Sequence, residues 1–146
     1  KEIGLGITRI GVHTGPAVVG NIGGDRRFDY TAIGDTVNTA ARLEGANKYL
    51  GTTTCISEVT ARAAGETDLR PIGDIVLKGR STPLRVYAPG RPTPEYETAF
   101  AALAKGDDAD TALRGALDGE DCALAQFHLD RLARGETGVT IVLDSK

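Results

Sequence analysis

The sequence has few aromatic residues and contains neither methionine nor tryptophan. Aromatic residues make up 5% of its 146 residues. This low share argues against a nucleic-acid platform, because such platforms stack bases on exposed aromatic rings. The formal net charge of −3 also argues against a general polyanion-binding surface. We therefore expect no nucleic-acid partner.

The absence of methionine extends to position 1, although a translated chain begins with that residue. We therefore expect Lys1 to be an internal position of a longer protein. No apolar run in the sequence is long enough to cross a bilayer, and no signal peptide opens it. These features predict a cytoplasmic location, with any membrane attachment provided upstream of Lys1.

Cysteine and histidine are scarce as well, with two residues of each. Cys55 and Cys122 lie far apart, and neither His13 nor His128 completes a spacing that would bind a metal ion. We predict two reduced, buried thiols and structural roles for both histidines. Hydrophobic residues at 40% and charged residues at 25% are ordinary for a globular domain of this length.

The chain up to about residue 90 alternates short β-rich runs with helical ones. A hairpin is predicted around Gly23-Gly24-Asp25, and Asp35 or Thr36 is expected to cap the first helix. Ser57 is expected to cap the second helix. The order predicts an α+β or α/β sheet protein. Its strands are predicted at 7–13, 17–22, 26–33, 52–56, 69–78 and 84–88, and its helices at 37–50 and 57–64.

The composition changes at the proline-rich stretch 89–94, which we interpret as a linker. Thr93 and Pro94 form a typical helix start, and apolar residues recur beyond it at helical spacing. Three short helices and a last strand over 138–143 are expected there. The predicted organisation is a domain over 1–90 and a small helical appendage over 91–146, packed on itself or on the sheet.

One pair of polar residues in the first predicted helix could carry chemistry. Asn38 and Arg42 are four positions apart and therefore project from the same helix face. An amide beside a guanidinium suits an oxyanion or a phosphate in a developing transition state. For such a pair taken alone, a solvated helix face is the ordinary interpretation.

The surrounding sequence changes that interpretation. Asn38 and Arg42 lie in Phe28-Asp-Tyr-Thr-Ala-Ile-Gly-Asp-Thr-Val-Asn-Thr-Ala-Ala-Arg-Leu-Glu44, preceded by Arg9-Ile-Gly-Val-His-Thr-Gly15 and Val19-Gly-Asn-Ile-Gly23. This pattern closely resembles the class III adenylate/guanylate cyclase catalytic domain, in particular its bacterial adenylate cyclase branch. The resemblance covers about residues 7–88, the C-terminal portion of that domain. It implies an α+β fold, a ferredoxin-like, cyclase-type mixed sheet with flanking helices.

The resemblance assigns roles to five positions. Asn38 matches the asparagine that orients the ribose, and Arg42 matches the arginine that stabilises the transition-state phosphates. Lys78 matches a lysine that contacts the nucleotide phosphates; taken alone it would be a strand-end lysine. Thr31 falls where the family reads the purine, with a small hydroxyl typical of adenylate cyclases, and the backbone of Ala32 is expected beside the base.

The reaction implied by the resemblance is cyclisation of ATP to 3′,5′-cyclic AMP and pyrophosphate, with two Mg²⁺ or Mn²⁺ ions per site. The family's two metal-binding aspartates belong to strands that would precede Lys1. Asp25, Asp29 and Asp35 do not occupy the corresponding motif positions and are expected to be turn or cap residues. We therefore expect no metal ligand in this chain.

The family's site forms across a head-to-tail dimer, so the resemblance implies a homodimer in which this portion supplies one side of each site. Alone, it should not turn over ATP. An alternative is a non-catalytic, cyclase-like module that binds nucleotide or regulates a partner. A third alternative is an interaction protein acting through the helical tail.

Overall fold

A mixed sheet with flanking helices forms the centre of the molecule. The structure is a computed structural model that describes residues 6–24 and 29–143. The strands are β1 (Ile10–Val12), β2 (Val18–Ile22), β3 (Asp29–Ile33), β4 (Thr54–Ser57), β5 (Leu69–Val76), β6 (Leu84–Pro89) and β7 (Thr140–Val142). The helices are α1 (Asp35–Leu50), α2 (Glu58–Ala64), α3 (Pro94–Lys105), α4 (Asp110–Gly115) and α5 (Cys122–Ala133), with a 3₁₀ turn over Ala116–Asp118.

Five strands make the main sheet, in the order β1-β4-β6-β5-β7. The outer pairs, β1 with β4 and β5 with β7, are parallel, whereas β6 is antiparallel to both of its neighbours. Strands β2 and β3 form a separate antiparallel hairpin. The predicted fold class, an α+β cyclase-type mixed sheet with flanking helices, is confirmed. The predicted tip of the hairpin, residues 25–28, lies outside the described residues.

Helix α1 packs on β1 at unusually close range, and Gly11 makes this possible. A Cβ atom at position 11 would lie 2.3 Å from both the Ala40 carbonyl oxygen and the Glu44 nitrogen. The Asn47 side chain, fully buried, donates a hydrogen bond of 2.9 Å to the Ile10 carbonyl and fixes the helix from its other end. These two contacts determine where α1 lies on the sheet.

The start of α1 differs from the predicted one. The cap residue is Gly34, with φ of 136°, and no side chain caps the helix. The expectation that Asp35 or Thr36 caps it is therefore wrong. Thr36 Oγ1 instead donates to the Pro16 carbonyl at 2.6 Å, which ties the helix to the segment before β2. Glycine suits the sharp transition from β3 into α1, because side chains rarely tolerate this φ.

The other predicted helix boundaries are confirmed. Gly51 and Gly65 end α1 and α2 in the left-handed conformation. The Ser57 hydroxyl accepts a 3.3 Å hydrogen bond from the Thr60 nitrogen at the start of α2. Thr93 caps α3 in the same way, through the Tyr96 nitrogen, with Pro94 in the first turn.

The residues after β6 pack on the sheet. Tyr96 of α3 is fully buried and donates from its hydroxyl to the Pro71 carbonyl of β5 at 2.6 Å. The Arg85 guanidinium of β6 lies 5.4 Å from the centre of the Phe100 ring. Side chains of α3, α4 and α5 join α1 and the sheet in one apolar cluster. The tail helices pack both on one another and on the sheet, the two alternatives expected from the sequence, whereas the division at residue 90 stays a prediction.

Arg131 of α5 holds β7 against the sheet from a position that is only 2% exposed. Its guanidinium donates to the Gly138 carbonyl at 3.0 Å and the Thr140 carbonyl at 2.8 Å. It also donates to Nδ1 of the fully buried His128, because arginine has no acceptor. His128 therefore carries its proton on Nε2 and donates it to the Ile72 carbonyl at 3.0 Å. The predicted structural role of His128 is confirmed.

His128 should make the stability of the chain depend on pH. Burial, reinforced by the neighbouring Arg131 charge, lowers the pKa of His128 from 6.5 to about 4. Between these values the unfolded chain binds the proton and the folded chain does not, so stability falls as the pH decreases. We expect His128 to account for a loss of up to about 3 kcal/mol across this range.

Urea unfolding of the chain at about pH 7 and about pH 4.5 measures this loss. In His128→Gln the pH-dependent part of the loss should shrink, whereas His13→Gln, at a half-buried position, should change it less. An equal pH dependence in wild type and His128→Gln would contradict the buried, neutral state of His128.

The cysteines only partly follow the prediction. Cys55 is fully buried in the core, and burial raises the pKa of its thiol to about 12, as expected for an inert residue. Cys122 is exposed at the first position of α5. The expectation that both thiols are buried is wrong, because Cys122 lies on the solvent side of a helix whose opposite face holds His128. In the described ranges 6–24 and 29–143, no helix is long and apolar enough to cross a bilayer.

Candidate functional site

The two residues singled out in the first helix lie together on an exposed face of α1. Asn38 is in the first turn, where its backbone nitrogen donates to the Gly34 carbonyl at 3.1 Å. Arg42 follows one turn later, and both side chains are exposed. The opposite face of the helix carries the buried residues Leu43 and Asn47. The site face is therefore held in place by packing on the other side of α1.

Arg42 and Lys78 line the same cavity, although they are far apart in sequence. The cavity has a volume of about 370 Å³ and lies between α1 and the segment that follows β5. Among its described lining residues, three have cationic side chains and the others are apolar or small. None of these lining residues is acidic. The lining residues are Arg42, Gly45, Ala46, Lys48, Tyr49, Leu77, Lys78 and Leu143. Such a concentration of positive charge suits an anion with several oxygens.

Lys78 lies two residues after β5, in a turn rather than in the strand that was predicted to extend over 69–78. The turn is closed by a hydrogen bond of 3.0 Å from the Arg80 nitrogen to the Leu77 carbonyl. The Arg80 side chain donates to Oγ1 of the fully buried Thr39, also at 3.0 Å. This contact fixes the turn at residues 77–80, called the Lys78 turn below, to Thr39 of α1, the residue that follows Asn38.

Thr31 and Ala32 lie on the hairpin, in β3. Thr31 is paired with Gly20 and is exposed, whereas Ala32 is paired with Val19 and is half-buried. Neither residue lines the cavity of Arg42 and Lys78, and Asn38 does not line it either. The chain thus brings Arg42 and Lys78 together. It leaves Thr31 and Ala32 on a strand that leads into α1 through Gly34.

His13, which directly follows β1, is held by the start of α2. Its Nδ1 atom lies 2.8 Å from the Ser57 hydroxyl, and the next residue, Thr14, bonds the Thr60 hydroxyl at 2.9 Å. Partial burial lowers the pKa of His13, and the nearby Arg80 charge lowers it further. These contacts agree with the predicted structural role of His13.

Residues not anticipated from the sequence include Tyr49 and Leu143, which line the cavity, and Arg80, which holds the turn that carries Lys78. Tyr49 follows Arg42 by two helical turns, so the spacing could have indicated it. Arg80 and Leu143 carry no comparable signal. Their partners, Thr39 and the Lys78 turn, are distant in sequence, and only the folded structure brings them together.

The residues described here do not fit a metal ion. Within 6–24 and 29–143, no group of three or more histidine, cysteine, aspartate or glutamate side chains could hold one. The cavity lined by Arg42 and Lys78 has no carboxylate among its described lining residues, and cationic side chains repel metal ions and bind phosphates or carboxylates. The chemistry of this lining suits an anion rather than a metal ion.

Comparison with known proteins identifies the family of this chain. The family model of the adenylate and guanylate cyclase catalytic domain matches residues 5–88, more than half of the chain. The chain belongs to this family. The resemblance in the sequence is thereby confirmed, and all five residues to which it gave roles lie inside the matched segment.

Relatives in the cyclase family include proteins named as adenylate cyclases. Adenylate cyclase 1 of Rhizobium meliloti is 52% identical over 81 residues, which are 55% of this chain and 12% of that protein. Adenylate cyclase of Anabaena cylindrica is 38% identical over 82 residues, 53% of this chain and 16% of that protein. The chain therefore spans a small part of the length of these relatives.

A solved structure in the same family is the adenylyl cyclase CyaB from P. aeruginosa. It is 36% identical to this chain, with a TM-score of 0.49, over 59% of this chain and 43% of that one. Helices α3 to α5 and strand β7 lie beyond the segment that the cyclase family model matches.

Proposed function

We propose that the chain carries the nucleotide-binding side of an adenylate cyclase site, which converts ATP to 3′,5′-cyclic AMP and pyrophosphate. The observation that carries the proposal is the shared cavity of Arg42 and Lys78, two cations from separate elements of the cyclase domain. The relatives named as adenylate cyclases support ATP as the nucleotide. Such an enzyme would serve cyclic-nucleotide signalling.

In this reaction the ribose 3′ oxygen attacks the α-phosphorus, the new O3′–P bond forms, and the bond to the β-phosphate oxygen breaks. Pyrophosphate and the hydroxyl proton leave. Negative charge builds on the phosphoryl oxygens, so fixed cations accelerate the step. We assign this stabilisation to Arg42, contact with the phosphates to Lys78, and orientation of the ribose to the exposed amide of Asn38 one turn away.

The described residues cannot complete this reaction by themselves, because they do not fit a metal ion. We propose that carboxylates outside these residues hold the two Mg²⁺ or Mn²⁺ ions expected for the family. We also propose a homodimer, supported by the β2–β3 hairpin, where Val18 and Tyr30 are 64% and 76% exposed. An exposed apolar hairpin of this kind suits a protein interface.

The proposal is tested by incubating the complete natural protein with ATP and Mn²⁺ and measuring cyclic AMP and pyrophosphate. We expect equal amounts of the two products, and no turnover by the present chain alone. Binding of ATP by the complete protein without either product would favour the alternative, a non-catalytic module that binds nucleotide. Absence of both binding and product would reject the proposed function.

Thr31→Cys tests the assignment of purine recognition to β3. Thr31 is exposed on its strand, so the substitution should leave the fold intact. Because a hydroxyl and a thiol differ in hydrogen bonding, we expect the ratio of kcat/KM for ATP over GTP to fall by about tenfold. The matched control is Thr98→Cys, an exposed position in α3. An unchanged ratio in Thr31→Cys would remove this role from Thr31.

A further inference from the structure

The end of the described chain lies against the turn that carries Lys78. Leu143, directly after β7, lines the cavity of Arg42 and Lys78. It also lines a second cavity of about 320 Å³, formed by the Lys78 turn, β5 and the end of β7. Leu143 is half-buried and packs against the apolar core. The segment C-terminal to the cyclase match thus supplies part of the wall around a predicted phosphate-binding residue.

Strand β7 also determines how β5 approaches that turn. The two strands are parallel, with Asp74 opposite Thr140 and Val76 opposite Val142, up to the last residue of β5. The Asp74 nitrogen donates to the Val139 carbonyl at 2.8 Å, where Gly73 leaves no room for a side chain. Without β7, strand β5 would be a sheet edge, paired only with β6. Lys78 would then follow a strand that is hydrogen-bonded to a neighbouring strand on one side only.

The position of β7 is itself fixed by buried contacts. Arg131 donates to the carbonyls that flank Val139, those of Gly138 and Thr140, and its Nε donates to Glu136 at 3.0 Å. Arg131 is almost fully buried, so these bonds are not exchanged with water. Helix α5, β7 and the Lys78 turn therefore form one continuous chain of contacts.

We propose that the C-terminal segment α5–β7, acting through Leu143, is a positioning element for Lys78 in the nucleotide site. This inference rests on the proposed function for its effect on catalysis, but its structural part does not. Leu143 and the β7 pairing hold the Lys78 turn on one side, and the Arg80–Thr39 hydrogen bond holds it on the other. Lys78 is thereby kept in the lining of the cavity that it shares with Arg42.

The test uses the complete natural protein and compares Leu143→Ala with Thr140→Ala, an exposed position in β7, three residues before Leu143. Leu143→Ala should lower kcat/KM for cyclisation about tenfold, because a small displacement of a phosphate-binding group weakens the transition state. Thr140→Ala should leave it unchanged. Leu143→Met, which keeps the volume, should restore most of the rate.

The same substitutions in a Lys78→Ala background separate positioning from a general loss of stability. If Leu143 acts through Lys78, Leu143→Ala should cause no further loss of kcat/KM once the lysine is absent. An equal tenfold loss in both backgrounds would overturn the proposal, as would an unchanged rate in the protein with Lys78 intact.

Hydrogen exchange at the Arg80 amide provides a readout that does not require activity. This amide closes the Lys78 turn, and we expect Leu143→Ala to speed its exchange about tenfold while Thr140→Ala does not. If the wild-type protein forms no cyclic nucleotide, the proposed function fails and the exchange rate alone decides the positioning. Equal exchange in wild type and Leu143→Ala would overturn it.

Discussion

Arg42→Ala in the complete protein should lower kcat by about a hundredfold to a thousandfold, the usual loss when one donor to a developing oxyanion is removed. The side chain is exposed and makes no ion pair among the described residues, so its loss should leave the fold intact. ATP affinity should change much less, because the guanidinium is assigned mainly to charge that appears in the transition state. Steady-state kinetics of cyclic AMP formation measure both quantities.

Two variants control this experiment. Arg62→Ala removes an exposed arginine from α2, outside the cavity of Arg42 and Lys78, and should leave kcat unchanged. Arg42→Lys keeps the charge but loses the planar fork of donors, so it should recover only part of the rate. A rise in KM with kcat preserved in Arg42→Ala would contradict a transition-state role for this residue.

Gly11→Ala should reduce the free energy of unfolding by about 3 kcal/mol or more, at the upper end of the cost of overpacking. The new methyl group would meet backbone atoms of α1 at 2.3 Å, which cannot rotate away as a side chain could. The helix must move off β1, and the Asn47 bond to Ile10 must lengthen with it. Urea unfolding of the chain gives the change directly.

Gly45→Ala, in the same helix, is the matched comparison. A Cβ atom at position 45 would meet nothing within 4 Å, so alanine gains helix propensity without a clash. We expect it to stabilise the chain by about 1 kcal/mol, opposite in sign to Gly11→Ala. Equal, small effects of the two substitutions would contradict the close packing of α1 on β1.

Much of the fold could be predicted because local chemistry specifies it. Gly51, Gly65 and Ser57 mark helix ends through their own backbone or side-chain preferences, and the structure agrees at each. The cap at α1 could not be assigned in this way. Thr36 has a suitable hydroxyl, but it lies inside the helix, two residues after the cap Gly34, and donates to the carbonyl of the distant Pro16, a partner that sequence alone does not reveal.

The candidate site likewise contains residues that local sequence predicts and residues that only long-range contacts bring together. Asn38 and Arg42 share a helix face by spacing alone, so their proximity follows from the sequence. Lys78 reaches the cavity of Arg42 only through the pairing of β5 in the sheet. Its neighbours Arg80 and Leu143 could not be found from the sequence, since their contacts join elements that are far apart along the chain.

The central claim is that the cavity of Arg42 and Lys78 receives the phosphates of the nucleotide. Its most direct test is equilibrium binding of ATP and of adenosine to the complete protein and to Lys78→Ala. We expect Lys78→Ala to raise the Kd for ATP about tenfold, or about 1.4 kcal/mol, and to leave adenosine binding unchanged. Lys105→Ala, at the exposed end of α3, should change neither. Wild-type ATP affinity in Lys78→Ala, or an equal loss for ATP and adenosine, would contradict the claim.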